Sequence, residues 1–165
     1  MRPKSVSRRR IGDFAVVDTP GKGRGVFAVR AYREGEALMP ISGEPVPGRG
    51  THTIQVGRQA HIKPGEPFLF TNHSCDPNAG IRADASGRPG LYARRAIAAG
   101  EEITWDYAMS ELDLIVDGRA RSMICSCGSQ KCRRLIENGW GGLSAERREV
   151  YRDWIMPYLR EDGPR

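Results

Sequence analysis

The chain lacks long apolar runs and contains little cysteine, histidine and lysine. No apolar run approaches the roughly 20 residues that span a bilayer, so the sequence predicts no membrane span and no membrane partner. The basic N-terminus, residues 1–10, is not followed by an apolar stretch, which argues against a secretory signal. We therefore expect an intracellular protein, cytoplasmic if it is bacterial and otherwise nuclear or cytoplasmic.

The composition indicates one folded domain. Over 165 residues, 39% are hydrophobic and 28% are charged, which favours a core over disorder. Glycine and proline interrupt the first two-thirds of the chain at a spacing typical of short strands. Helical periodicity appears only from about Ser144 to Arg160, with Ser144 as a candidate N-cap and Pro157 expected to kink or end the helix. The sequence thus predicts a mostly β fold with a C-terminal helix.

The individual strands follow from the same pattern. The segment 42–50 is expected to be loop, and a hairpin is expected about Gly57 and Arg58. The predicted strands are 13–18, 25–30, 36–41, 52–56, 60–63, 67–70, 79–83, 91–96 and 102–105.

The balance of charge is basic, with a formal net charge of +6 and a pI of about 9.5. This balance suits an acidic protein or a nucleic acid as partner. Arginine bias also follows from genomic base composition, and most exposed arginines are simply solvated. The sequence offers neither a recognition helix nor an aromatic stacking platform, so we expect nucleic-acid contact only through the basic tail.

The four cysteines fall into two groups. Cys125, Cys127 and Cys132 form a Cys-x-Cys-x4-Cys run, and Cys75 lies far from them in the sequence. A tetrahedral zinc site needs four ligands, so three thiolates leave one vacancy that Cys75 could fill. The disulfide alternative is disfavoured by a reducing compartment and by the strain of bridging Cys-x-Cys. We predict one structural zinc ion.

Two polar motifs carry candidate chemistry. Gly21–Gly25 (GKGRG) suits either a tight turn or a loop that lets the backbone approach a cofactor, and it lacks the spacing of a Walker motif. Asn72–Asn78 (NHSCDPN) could form a polar turn shaped by Pro77. Cys75 and His73 could be a catalytic nucleophile and its base. Their spacing suits that role poorly, because a spacing of two residues in extended chain does not bring the two side chains together.

Three separated motifs together resemble the SET-domain family of protein-lysine methyltransferases with its cysteine-rich post-SET extension. They are Gly21–Ala28, Asn72–Asn78 and Gly100–Tyr107, the last followed by Cys125–Arg133, and they occur in the family's order. The resemblance implies short strands in small sheets and a pseudoknot in which the Trp105–Tyr107 segment passes beneath a loop. It implies four parts: a flexible basic tail (1–10), a SET domain (11–119), a post-SET segment (120–139) and a C-terminal helix (140–165).

The resemblance also implies a function: transfer of a methyl group from S-adenosylmethionine to a lysine amine of a protein, a histone or another basic protein. It assigns the zinc to Cys75 and the three later cysteines. The cofactor-binding residues that it implies are Lys22, Gly23, Arg24, Gly25, Asn72, His73, Tyr107 and Leu135, with Leu135 against the adenine.

Tyr107 is the catalytic candidate. Methyl transfer to an amine is an in-line displacement that needs a neutral, aligned amine in a site without water. A tyrosine hydroxyl can orient that amine, although a reference pKa near 10 makes it a poor base. Two substrate-channel positions depart from the family. Trp105 stands where Phe or Tyr is usual, at the position that in the family is taken to control the room around the amine and hence the number of methyl groups added, so that number is not fixed by the resemblance. His52 stands where many members have Tyr.

The alternative is a catalytically degenerate SET-fold binding module with a structural zinc. His52 and Trp105 favour it, whereas Asn72, His73 and Tyr107 favour the enzyme.

Overall fold

The computed structural model describes residues 7–19, 21–113, 115–116, 119–120 and 122–160. The described strands are short, and 3₁₀ helices lie at Phe68–Phe70, Tyr107–Met109 and Trp140–Gly142. The strands are β1 (Arg8–Ile11), β2 (Phe14–Thr19), β3 (Gly23–Ala28), β4 (Ala37–Pro40), β5 (Gly43–Val46), β6 (Ile54–Gly57), β7 (Ala60–Pro64), β8 (Asn72–His73), β9 (Ala79–Ala83), β10 (Pro89–Ala93), β11 (Thr104–Trp105), β12 (Ile115–Val116), β13 (Arg119–Ala120), β14 (Met123–Ile124) and β15 (Leu135–Ile136).

The longer strands form three antiparallel sheets, with the orders β1-β2-β3, β4-β10-β9 and β5-β7-β6. Three two-stranded pairs complete the set: β8 with β11, β12 with β13, and β14 with β15. The core contains aliphatic and aromatic side chains, and its fully buried members include Val26, Ile81, Leu91, Ile103 and Met109. The mostly β fold predicted from the sequence is confirmed.

Glycine shapes the turn between β2 and β3. Gly21 and Gly23 have φ angles of 76° and 78°, a left-handed conformation that glycine adopts most easily. Gly25 is needed for space instead, because a Cβ there would lie 2.7 Å from Oε1 of Glu102. The loop is therefore packed closely against the segment that precedes β11.

The parallel pair of β8 and β11 joins the two later motifs. Asn72 is opposite Thr104 and His73 is opposite Trp105, and the Ser74 amide donates to the Trp105 carbonyl at 3.0 Å. These are the segments for which the family resemblance implies a pseudoknot. The pairing brings Tyr107 beside the 72–78 segment.

Two predicted elements in the middle of the chain differ from the structure. The predicted strand 67–70 is a 3₁₀ helix, which the Thr71 hydroxyl closes by donating to the Phe68 carbonyl at 2.7 Å. The predicted loop 42–50 contains β5, which pairs with β7. Pro45 is tolerated in β5 because this strand lies at the edge of its sheet.

The predicted N-terminal tail overlaps a strand. A flexible tail was expected through Arg10, but Arg8–Ile11 forms β1 and pairs with β2. The backbone of β2 offers a free edge there, and pairing satisfies its hydrogen-bonding groups. Residues 1–6 of the predicted tail lie outside the described residues.

The C-terminal region contains two short helices rather than one. Helix α1 (Ala145–Tyr151) begins at the predicted N-cap, where the Ser144 hydroxyl accepts from the Arg147 amide at 3.3 Å. Pro157 was expected to kink or end this helix, but it begins α2 (Pro157–Arg160), because proline suits the first turn of a helix. Between the helices, the Met156 amide donates to the Met109 carbonyl at 2.7 Å, so the backbone bonds to the core instead of continuing α1.

Among the described residues, no helix has both the length and the apolar character needed to cross a membrane.

Candidate active site and metal centre

A cavity of about 520 Å³ lies beside the glycine loop and the 72–78 segment. Both predicted cofactor motifs contribute to its wall, and so does the segment around Cys125. Its lining residues are Gly21, Lys22, Gly23, Arg24, His52, Leu69, Phe70, Thr71, Asn72, His73, Tyr107, Met123, Ile124, Cys125, Ser126 and Cys127.

Asn72 and Glu102 tie the glycine loop to the site. The side-chain Nδ2 of Asn72 donates to the Arg24 carbonyl at 3.0 Å and to Oε1 of Glu102 at 2.7 Å. The Lys22 ammonium lies 3.5 Å from the other Glu102 oxygen. The Arg24 guanidinium lies 3.9 Å from the centre of the Phe70 ring, so both basic side chains of the loop are held at this wall of the cavity.

His73 is buried between the catalytic candidate and the cysteines. Its Nδ1 accepts from the Tyr107 amide at 3.2 Å, and its Nε2 lies 3.3 Å from Sγ of Cys75. Burial lowers the pKa of His73 to about 4. The ring is therefore neutral at physiological pH, and because Nδ1 accepts, its proton is on Nε2.

The hydroxyl of Tyr107 donates to the Thr71 carbonyl at 3.4 Å. Its ring contacts Trp105 and His73, with centroid separations of 4.9 and 5.1 Å. Burial raises the pKa of Tyr107 to about 12. The hydroxyl thus stays protonated and is suited to orient a neighbouring group rather than to remove a proton.

A second cavity, of about 260 Å³, has Tyr107 in its lining, as the first cavity does. The two cavities share His52, Leu69, Thr71 and Tyr107. Trp105 lines the second one, and its Nε1 donates to Oγ1 of Thr71 at 2.9 Å. A ligand in each cavity would therefore have Tyr107 as a common neighbour.

A buried ion pair forms another wall of the second cavity. Glu111 is 7% exposed, and its carboxylate is in contact with the Arg49 guanidinium. The backbone amide of Gln55 donates to the other Glu111 oxygen at 3.0 Å. Burial raises the pKa of Glu111 above its ordinary value. This pair could not be predicted from the sequence. Its two residues are 62 positions apart, lie in no recognisable motif and meet only in the folded chain.

The four cysteines that were predicted to bind zinc lie close together in the structure. Their Sγ atoms all lie within 4.8 Å of one another, and Cys75 and Cys125 are buried. The Arg133 amide donates to Sγ of Cys75 at 3.3 Å, a bond that suits a thiolate. Four thiolate donors at this separation fit a tetrahedral zinc ion.

Two predicted cofactor residues are not part of the cavity lining. Gly25 is buried behind Asn72 and Glu102, and Leu135 is 43% exposed on β15. The strand partner of Leu135, Ile124, lines the cavity in its place and is 87% exposed. Phe70 was also missed, although its position two residues before Asn72 was a usable signal.

A comparison with protein families agrees with this geometry. Residues 52–108 match the family model for the SET domain. Over these residues the chain carries the SET-domain match. The matched segment includes His52, Asn72, Trp105 and Tyr107.

Curated proteins similar to this chain are named as histone-lysine methyltransferases. The probable histone-lysine N-methyltransferase set-23 of Caenorhabditis elegans is 39% identical over 141 residues, covering 70% of this chain and 56% of that protein. The H3 lysine-36-specific histone-lysine N-methyltransferase of Candida albicans is 41% identical over 149 residues, covering 78% of this chain and 17% of that protein. The chain thus spans about half, or less, of the length of these relatives.

Solved SET-domain structures share the fold. KRYPTONITE in complex with mCHH DNA, an H3(1-15) peptide and SAH superposes with a TM-score of 0.61 at 24% identity, covering 73% of this chain and 28% of that chain. Arabidopsis thaliana SUVH6 in complex with SAM gives a TM-score of 0.62 at 21% identity, covering 73% of this chain and 32% of that chain. The SET-domain fold expected from the three motifs is confirmed.

Proposed function

We propose that the chain is an S-adenosylmethionine-dependent protein-lysine N-methyltransferase with one structural zinc ion. The observation that carries the proposal is that Tyr107 lines two neighbouring cavities. A methyltransferase needs one site for the methyl donor and another for the acceptor, with the reacting atoms in line between them. The names of the relatives support the same activity.

The larger cavity is the proposed site of the methyl donor, which supplies an electrophilic methyl group. Its size suits a nucleoside-sized ligand. Lys22 and Arg24 are the proposed partners of the donor's carboxylate, and Gly23 allows close approach of the backbone. Asn72 and His73 complete the polar wall, and Ile124 is the proposed apolar cover. KRYPTONITE with SAH and SUVH6 with SAM are solved relatives in fold.

The smaller cavity is the proposed channel for the substrate lysine. Its aromatic wall of Trp105 and Tyr107 excludes water and favours the neutral amine that the displacement requires. The Tyr107 hydroxyl orients that amine toward the larger cavity. Trp105 limits the room around it, and His52 is proposed to line the route between the two cavities.

Zinc bound by Cys75, Cys125, Cys127 and Cys132 is proposed to hold the 120–139 segment against the 72–78 segment. Since Cys125 and Cys127 both line the larger cavity, metal binding and formation of that cavity are coupled. The SET domain is proposed to run from β1 to residue 119, with the C-terminal helices packed on it.

The proposed substrate is a lysine in a basic protein such as a histone, bound as an added strand at a sheet edge. The relatives named as histone-lysine methyltransferases support this class. Nuclear or cytoplasmic residence is proposed on the same ground. Contact with nucleic acid is proposed only through the basic N-terminus.

A transfer assay tests this function. Zinc-loaded protein is incubated with tritium-labelled S-adenosylmethionine and, separately, with histone H3, histone H4 and a mixture of ribosomal proteins. We expect incorporation into lysine of at least one basic protein, mapped by mass spectrometry. Tight cofactor binding with no incorporation into any of them would favour the degenerate binding module instead.

A further inference from the structure

The carboxylate of Asp106 holds the turn that carries Tyr107. Asp106 has no exposed surface, and its Oδ1 accepts from the Ala108 amide at 3.1 Å, which caps the 3₁₀ helix Tyr107–Met109. The same oxygen lies 3.6 Å from Nδ1 of His73. Burying a carboxylate without partners is costly. The groups that bind Asp106 therefore also fix the backbone of Tyr107.

Two of those groups come from beyond the matched SET segment. Nη2 of Arg133 lies 2.7 and 2.8 Å from the two Asp106 oxygens. The hydroxyl of Tyr151, at the end of α1, lies 3.2 Å from Oδ2. The post-SET segment thus reaches Asp106 through an ion pair, and α1 reaches it through a neutral hydroxyl.

Helix α1 also holds the carbonyl of Cys75. Nη1 of Arg147 donates to this carbonyl at 2.6 Å and to the Tyr151 hydroxyl at 3.2 Å. The Tyr151 oxygen itself lies 3.3 Å from the Cys75 carbonyl. Since that hydroxyl accepts from Arg147, its one proton is directed to either of two acceptors at similar distance, Oδ2 of Asp106 or the Cys75 carbonyl. One turn of α1 therefore binds both segments that flank the candidate site.

We propose that Tyr151 and Arg147 are positioning residues of the methyltransferase, which act on Tyr107 through Asp106 and on the 72–78 segment through the Cys75 carbonyl. This inference rests on the proposed function for its catalytic consequence. Neither side chain lines either of the two cavities, so both act without touching donor or substrate. Helix α1 thereby becomes part of the catalytic unit rather than a covering of the core.

Positioning differs from simple stabilisation in what it predicts. Tyr158 offers a matched comparison, because its buried hydroxyl donates to the Ser110 carbonyl at 2.5 Å without reaching Asp106. Arg148 offers a second one, because it follows Arg147 on α1 but bonds to the Gly141 carbonyl. If the role of Tyr151 were only structural, Tyr151→Phe and Tyr158→Phe would lower turnover equally whenever they lower stability equally. The same would hold for substitutions of Arg147 and Arg148.

The experiment compares Tyr151→Phe with Tyr158→Phe, and Arg147→Gln with Arg148→Gln, in zinc-loaded full-length protein. Steady-state methyl transfer gives kcat and KM, and residue-resolved amide exchange by NMR reports on Ala108. We expect Tyr151→Phe to lower kcat about tenfold, the effect of losing one hydrogen bond to a charged group, with KM unchanged. Exchange of the Ala108 amide should rise in Tyr151→Phe and stay unchanged in Tyr158→Phe.

Equal kcat within each pair, or an unchanged Ala108 amide in Tyr151→Phe, would overturn the inference. Absence of turnover in the unmodified protein would instead count against the proposed function. In that case the exchange of Ala108 decides the positioning claim, because it requires no substrate. If Tyr151→Phe fails to fold, the Arg147→Gln and Arg148→Gln pair supplies both readouts.

Discussion

The backbone amide of Tyr107 donates to Nδ1 of His73 at 3.2 Å. This bond joins two motifs that are 34 positions apart in the sequence, and it uses a histidine nitrogen that burial keeps neutral. Because Nε2 of the same ring lies against Sγ of Cys75, one side chain links the catalytic candidate to the metal centre. A displacement of His73 would therefore be transmitted both to the Tyr107 backbone and to the metal ligand Cys75.

Replacement of Tyr107 by phenylalanine should separate binding from chemistry. Among the described residues, the hydrogen bond made by this hydroxyl goes to the Thr71 carbonyl, so its loss is expected to leave the cavity walls in place. We expect cofactor affinity within about twofold of the unmodified protein and a loss of roughly a hundredfold in kcat, the size typical of removing one group that orients reacting atoms. Tyr92→Phe, on β10 and away from both cavities, is the control. Turnover that survives in Tyr107→Phe would remove this residue from the mechanism.

Removal of zinc should disorder the wall of the larger cavity. Metal analysis of the purified chain is expected to give one zinc ion per molecule, and chelation should lower both the melting temperature and the affinity for S-adenosylmethionine. Cys132→Ser should reproduce the effect, because three thiolates bind zinc less tightly than four. A chelated protein that binds the cofactor normally would contradict the proposed coupling.

Trp105→Phe should increase the number of methyl groups transferred. The smaller ring enlarges the second cavity and removes the bond from Nε1 to Oγ1 of Thr71. We expect mass spectrometry of the product lysine to shift toward higher methylation states, with cofactor affinity unchanged. An identical distribution of products would show that another residue limits the room around the amine.

Alkaline pH should destabilise the fold through buried tyrosines. Burial raises the pKa of Tyr107 and of Tyr151 to about 12, whereas an unfolded tyrosine ionises near pH 10. The unfolded state therefore releases these protons first, and its ionisation lowers the free energy of unfolding between pH 10 and 12, by about 3 kcal/mol for each tyrosine. Below pH 10 this contribution to stability is present in full.

Denaturant unfolding at pH 8 and at pH 11 measures the effect. Tyr151→Phe should show a smaller drop between the two values than the unmodified protein, because it has one ionisable group fewer. The same drop in both proteins would mean that Tyr151 does not titrate abnormally.

The parts of the site that lie in short linear motifs could be predicted from the sequence. The Cys-x-Cys-x4-Cys run is such a local pattern, and the structure brings Cys75 to it. Tyr107 also lies in a short motif, and it lines both cavities. Ile124 was not predicted in this way, because its place at the cavity follows from the register of β14 with β15, in which it faces Leu135. A sequence pattern does not contain that register.

Contacts made by the C-terminal region were also beyond the sequence. Tyr151 meets Asp106 across 45 positions, and nothing in either local segment indicates the partner. The break between α1 and α2 has the same cause, because the Met156 amide leaves the helical pattern to bond with Met109. Tertiary bonds of this kind override local propensity.

Calorimetric titration of zinc-loaded protein with S-adenosylmethionine tests the central claim most directly, because it needs no knowledge of the substrate. The account predicts saturable one-to-one binding that is lost in Asn72→Ala, since the Asn72 amide holds both Arg24 and Glu102. The surface variant Arg88→Ala, whose side chain is 81% exposed, should bind normally. No binding by folded, zinc-loaded protein, either alone or with histone H3 peptide present, would contradict the account.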